Sequence, residues 1–167
     1  MARQDIGRRF VMRQKWVSFG DDYFVKNEAG DKVCEVDGKA MRIRNTLFIK
    51  DHDGNERYKV QEKKVRIRDT MFIYKDGDVV AKVHKALVSP LRDRFAIDVP
   101  GGDDMSATGS ILDHDYTIKR GRQVVATVSK SWLRIRDSYG VEVESEDDPY
   151  LVLAIAVCLD AMCHPEE

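Results

Sequence analysis

The residues that could do chemistry are few, and their spacing argues against most reactions. The four histidines, His52, His84, His114 and His164, are scattered and fall in or near turns. None sits in an HxH or HExxH pattern or in a Cys/His ligand spacing, so they read as solvated turn residues and not as a metal or catalytic set. Cys34, Cys158 and Cys163 show no CxxC spacing and read as free thiols in a reducing compartment. The serines lack a G-x-S-x-G context, and the glycines form neither a P-loop nor a GxGxxG turn. Without a nucleophile, base or metal set, the expectation is a protein that is not an enzyme and carries no cofactor and no metal.

Two charged patterns remain. The acidic run Glu142, Glu144, Glu146, Asp147 and Asp148 holds oxygens of the kind that bind Ca²⁺. The simpler expectation is that Asp147 and Asp148 cap a following helix while the glutamates face water. The second pattern is Arg-x-Arg, present three times as Arg42 and Arg44, Arg66 and Arg68, Arg134 and Arg136. Arginine's planar fork suits phosphate, so these six residues are the candidate site for an anionic headgroup, with Lys63, Lys64 and Lys130 extending it.

The arginines belong to a repeated phrase. MRIRNTLFI (Met41–Ile49) returns 24 residues later as VRIRDTMFI (Val65–Ile73), and LRIRD (Leu133–Asp137) opens a third copy. Alternation along a strand puts Met41, Ile43, Leu47 and Ile49 on one face, and Val65, Ile67, Met71 and Ile73 on the matching one. The arginines, with Thr46, Phe48, Thr70 and Phe72, share the opposite face, which is therefore outside. Asn45, Asp69 and Asp137 interrupt the inner row at matching places, where a bulge or bend is expected.

Turns at Glu28–Asp31, Asp53–Asn55, Asp76–Asp78 and Arg120–Arg122 separate alternating apolar runs, the signature of hairpins. Roughly a dozen short strands result, with VPGGDDMSA (Val99–Ala107) as the one long irregular loop. The closing segment DDPYLVLAIAVCLDAMCH (Asp147–His164) has Asp148 as N-cap and Pro149 in the first helical turn. Its body is apolar on every side until Asp160, so it must be buried on every side. Strands are all that is left to bury it. The expected fold is mainly β: a closed antiparallel barrel of about twelve strands around a buried C-terminal helix, forming a single domain over residues 1–167.

These residues resemble the LURP-one-related family of the tubby C-terminal-like superfamily, to which phospholipid scramblases also belong. The resemblance covers RQKWVSFGDDYFVKNEAGDKVCEVDGK, IRNTLFIKD, IRDTMFIYKDG, VPGGDDMSATG, YTIKRGRQVVATVSKSW and IRDSYGVEV followed by DDPYLVLAIAVCLDAM. It implies a twelve-stranded barrel around a C-terminal helix. Scramblases carry a calcium-binding acidic segment before that helix. Here the segment DSYGVEVESEDD departs from their pattern, with shorter spacing and a missing second carboxylate near Asp137. Tubby relatives bind phosphoinositide headgroups, which directs attention to the six arginines.

Lys+Arg 28 against Asp+Glu 29 gives a net charge of −1, so no bulk pull toward nucleic acid exists. The start, MARQDIGRRFVMRQK, has no apolar core and does not read as a secretory signal. The apolar run Tyr150–Leu159 is about half of the roughly 20 residues needed to span a bilayer. The expectation is a cytoplasmic protein, peripheral at a membrane. Two functions compete: a non-enzymatic module docking anionic phospholipid headgroups, and a structural or stress-related scaffold that binds a protein partner and no small ligand. Asp160, the lone charge in the helix body, is expected to meet an Arg, a Lys or a cluster of backbone donors at one mouth of the barrel.

Overall fold

A computed structural model describes residues 7–13, 23–38, 45–65, 68–86, 93–131 and 138–163. The strands are β1 (Arg9–Arg13), β2 (Tyr23–Asn27), β3 (Lys32–Asp37), β4 (Thr46–Asp51), β5 (Glu56–Val65) and β6 (Arg68–Lys75). They continue as β7 (Asp78–Lys85), β8 (Asp93–Asp98), β9 (Met105–Ser110), β10 (Asp115–Arg120), β11 (Gln123–Ser129) and β12 (Ser138–Val143). Helix α1 (Pro149–Cys163) follows. Each strand pairs antiparallel with its neighbours in sequence, and β1 pairs with β12, Phe10 facing Val141, to close the barrel. Closure leaves no sheet edge unpaired.

The repeat is legible in the strands. Leu47 and Ile49 in β4, and Met71 and Ile73 in β6, point into the core, while Phe48 and Phe72 are half-buried on the outside. Met41, Ile43 and Ile67 lie outside the described residues, as does the third copy up to Asp137. Tyr139, Val141 and Val143 of β12 continue the inner row.

The interruptions behave differently from expectation. Asn45 does bend the chain, with φ of 49° just before β4. Asp69, however, pairs with Lys64 in an unbroken ladder, so no bulge occurs there. Four hairpins are bulged elsewhere, after Val25, Ile49, Ile73 and Ile118. The extra residue lies on the returning strand, as Val33, Arg57, Val80 and Val125. In β3 and β11 it lets two successive residues, Val33–Cys34 and Val125–Ala126, both be buried. The expected turns are present, including Asp76–Gly77, whose positive φ values (51° and 85°) suit a two-residue hairpin with right-handed twist. The loop expected over Val99–Ala107 is shorter, because β9 begins at Met105 and pairs with β8.

The helix fills the barrel. Asp148 caps it, its Oδ1 accepting the Tyr150 N–H at 3.1 Å, and Pro149 occupies the first helical position. Every residue from Val152 to Leu159 is 0% exposed. Such a helix has no solvated face, and its enclosure follows from its composition.

The helix direction defines two mouths. At the entry mouth Asp148 accepts a hydrogen bond from Tyr58 Oη at 2.7 Å, and Tyr150 Oη donates to the Val33 carbonyl at 3.3 Å. At the far mouth Asp160 meets His114, in the turn between β9 and β10. The connections β2–β3, β4–β5, β6–β7, β8–β9, β10–β11 and β12–α1 join strands at the entry mouth, and the remaining six join them at the far mouth.

Candidate functional site

The two mouths differ in charge. Connections at the entry mouth carry ten carboxylates against one cation, Arg122. Connections whose ends lie at the far mouth carry nine lysines and arginines against four aspartates. At the helix N-terminus the capping carboxylate of Asp148 complements the dipole.

At the entry mouth the acidic residues are tied individually into the fold. Arg120 forks onto Asp147 at 2.7 and 3.1 Å, and Ser145 Oγ donates to the same carboxylate. Glu144 accepts from Thr127 Oγ1 at 2.9 Å, Glu142 faces Arg9 at 3.5 Å, and Glu146 lies 4.0 Å from Arg8. Asp51, buried, accepts the backbone N–H groups of Asp53 and Asn55, with Arg57 3.8 Å away and stacked on the Tyr150 ring at 4.7 Å. Among the described residues no three histidine, cysteine or acidic side chains converge as a metal site. A cleft of about 540 Å³ opens beside the β2–β3 hairpin, and its lining includes Arg8, Arg9, Glu28, Asp31, Lys32 and His52. Its lining mixes both signs, with Arg9 paired to Glu28 at 3.1 Å, which leaves it no single sign to offer a ligand.

The hydrogen bonds from Arg120 hold the Asp147 carboxyl below the usual aspartate value of 3.8, against the opposing push of burial. A carboxyl whose value is lowered by folding stabilises the native state above its unfolded value. That contribution is lost as pH falls through the lowered native one. Acid sensitivity below pH 3.8 is therefore expected to be shallower in Asp147→Asn than in the parent chain. Urea midpoints measured against pH check this, and parallel curves for the two proteins would contradict it.

At the far mouth Asp160 and His114 form a buried pair. Nε2 and Oδ1 are 2.9 Å apart, and both side chains are 2% exposed. The imidazole stacks on Tyr139, centroids 4.1 Å apart at 16°. The expected partner for Asp160 at a mouth is thus present, but it is a histidine rather than Arg or Lys, and His114 is buried rather than a solvated turn residue. Its turn is pinned by Gly109, whose φ is +134° and where a Cβ would stand 2.6 Å from the Asp115 carbonyl oxygen. Burial and the nearby Asp160 raise the Tyr116 phenol well above its ordinary value.

Of the six arginines, Arg42, Arg44, Arg66, Arg134 and Arg136 lie outside the described residues. Arg68 is the first residue of β6. The flanking strand ends are described: β3–β4, β5–β6 and β11–β12 are all joined at the far mouth. The described ends of the three connections that hold or adjoin the Arg-x-Arg pairs therefore lie at one end of the barrel.

A further group, on the outer wall, was not legible as a unit in the sequence. Lys59 Nζ lies 4.7 Å from the Tyr74 ring centroid, and Lys63 Nζ lies 5.3 Å from that of Phe72. Lys82 Nζ lies 5.6 Å from Phe72, and the two rings stack at 6.3 Å. Lys63 and Phe72 stood out in the sequence. Lys59 and Lys82 did not, because only the register places Lys59 opposite Tyr74 and Lys82 opposite Phe72.

A twelve-stranded meander closed around its own C-terminal helix defines the class. The LURP-one-related family matches residues 8–160, and the chain belongs to that family. It is 26% identical over 156 residues to the uncharacterised protein YxjI of Bacillus subtilis strain 168, covering 93% of this chain and 94% of that protein. An X-ray structure of a protein from Arabidopsis thaliana shares the fold with a TM-score of 0.64 at 13% identity, over 93% of this chain and 91% of that one.

Proposed function

We propose that the chain is a non-enzymatic binding module whose far mouth docks anionic phospholipid headgroups through Arg42, Arg44, Arg66, Arg68, Arg134 and Arg136. The supporting observation is that the described ends of the three Arg-containing connections lie at one mouth, opposite the one whose connections are acidic. A charge axis of this kind would orient the barrel on an anionic surface, since the entry mouth is repelled by it. Leu112, 54% exposed in the β9–β10 turn, adds an apolar contact at the same mouth. The non-enzymatic part is supported by the enclosure of His114, which pairs with Asp160 at 2.9 Å and at 2% exposure is out of reach of a substrate. Docking would be peripheral, because no helix among the described residues is long and apolar enough to cross a membrane.

Co-sedimentation with phosphatidylcholine vesicles, with and without phosphoinositide, tests the reading. Binding is expected only to the anionic vesicles and is expected to weaken steeply with salt. Arg66→Ala with Arg68→Ala should reduce it severalfold without unfolding the barrel. If the parent chain ignores anionic vesicles at low salt, the lipid reading fails and the protein-partner scaffold becomes the better one.

A further inference from the structure

We propose that the outer wall of β5–β7 is a separate docking face, for an extended acidic peptide segment of a partner protein. On β5 the side chains of Lys59, Gln61 and Lys63 alternate with the inward Tyr58 and Val60. Gln61 faces Phe72, and Phe72 faces Lys82, so three lysines surround one aromatic pair. No carboxylate among the described residues lies within ion-pair distance of Lys59, Lys63 or Lys82. Two cations elsewhere show the contrast, Lys50 paired with Asp37 at 2.7 Å and Arg120 with Asp147 at 2.7 Å. Asp98, the register neighbour of Lys82 on β8, is taken by His84 at 3.0 Å. The wall is thus a patch of positive charge unmatched by any carboxylate among the described residues, on a chain whose net charge is −1.

Three features point to a peptide. Lys59 and Lys63, four positions apart on one strand, both reach over the Tyr74 ring, their ammonium groups 4.7 and 5.6 Å from its centroid, so the two charges lie within about 10 Å of each other and in reach of carboxylates along one extended chain. The large apolar side chains exposed among the described residues are Phe24 and Leu112, neither of them on this wall, so it offers nothing to insert into a bilayer. The ring faces are covered by lysine ammonium groups at 4.7–5.6 Å, which blocks the base stacking that single-stranded nucleic acid would need. Lying on the rings also restrains the lysines before any partner arrives, which lowers the ordering cost of binding.

Fluorescence anisotropy with a labelled decaglutamate peptide is the test. The parent chain should bind it at low salt and release it as salt rises. Lys59→Gln, Lys63→Gln and Lys82→Gln together should weaken binding about tenfold, the sum of three exposed pairs. Arg134→Gln with Arg136→Gln, at the far mouth, should change it less than about twofold, which separates this face from the lipid site. Carbodiimide cross-linking of the parent chain, mapped by mass spectrometry, should join the peptide to Lys59, Lys63 or Lys82. No peptide binding by the parent chain, equal binding by the triple variant, or cross-links confined to other lysines would overturn the proposal. So would a triple variant that keeps peptide binding and instead loses phosphoinositide vesicles or single-stranded RNA.

Discussion

Ending the chain at Asp147, before α1, should leave an unfolded or aggregated product. The five fully buried branched aliphatics of the helix, Val152, Leu153, Ile155, Val157 and Leu159, have no exposed surface. At about 2 kcal/mol each they contribute on the order of 10 kcal/mol, as large as the whole net stability of an ordinary domain. Their removal also strips the lining of its partner: Leu47, Ile49, Val60 and Ile73, all 0% exposed, would face an empty lumen. Strand pairing alone cannot replace that loss, because a hydrogen bond gained within the sheet is one lost to water. Far-ultraviolet circular dichroism and analytical gel filtration read the outcome. A soluble monomer with an intact β spectrum would contradict the role given to the helix.

His114→Ala should cost about 3 kcal/mol, the price of taking one partner from a buried ionisable pair. Asp160 lies in the last part of the helix, where the dipole disfavours an anion, and the imidazole at 2.9 Å is the compensating contact. Loss of the ring also removes the stack on Tyr139. Asp160→Asn, which keeps the shape and a hydrogen-bonding oxygen, should cost about 1 kcal/mol. The double variant His114→Ala with Asp160→Asn should be more stable than the sum of the singles implies, with a coupling of about 1–3 kcal/mol. Denaturant midpoints of the four proteins in the cycle measure this. Strictly additive losses would show that the pair does not act as a unit.

Most of the fold was legible because three independent patterns agree. The repeated MRIRNTLFI and VRIRDTMFI fix which side of β4 and β6 is inner, Gly-containing turns divide the hairpins, and an all-apolar helix capped by Asp148 needs enclosure. The bulges were not legible, since one extra residue in a run such as Gln123–Ser129 leaves the alternation ambiguous until the partner strand is known. Asp69 misled for the opposite reason: a polar residue inside an apolar row can sit in a regular ladder near a strand end. Asp160 announced its need for a partner, but His114, in a turn flanked by aspartates, looked like surface. Burial of a turn residue is a property of the neighbouring elements and leaves no local signal. The candidate site divides the same way. Arg-x-Arg is a local repeat and could be seen, whereas the wall of Lys59, Lys63 and Lys82 exists only through cross-strand register.

The central claim, that α1 is enclosed by the barrel, can be tested at Cys158. This residue lies mid-helix with 0% exposure, and burial raises its thiol far above the ordinary value. Replacing Cys34 and Cys163 by alanine leaves it as the lone reporter, since the chain has three cysteines. Its labelling by a thiol reagent should be very slow in native buffer. The rate should rise with denaturant along the same slope as global unfolding, because only opening of the whole barrel exposes it. Rapid labelling in native buffer, or a rate nearly independent of denaturant, would place the helix on the surface and contradict the account.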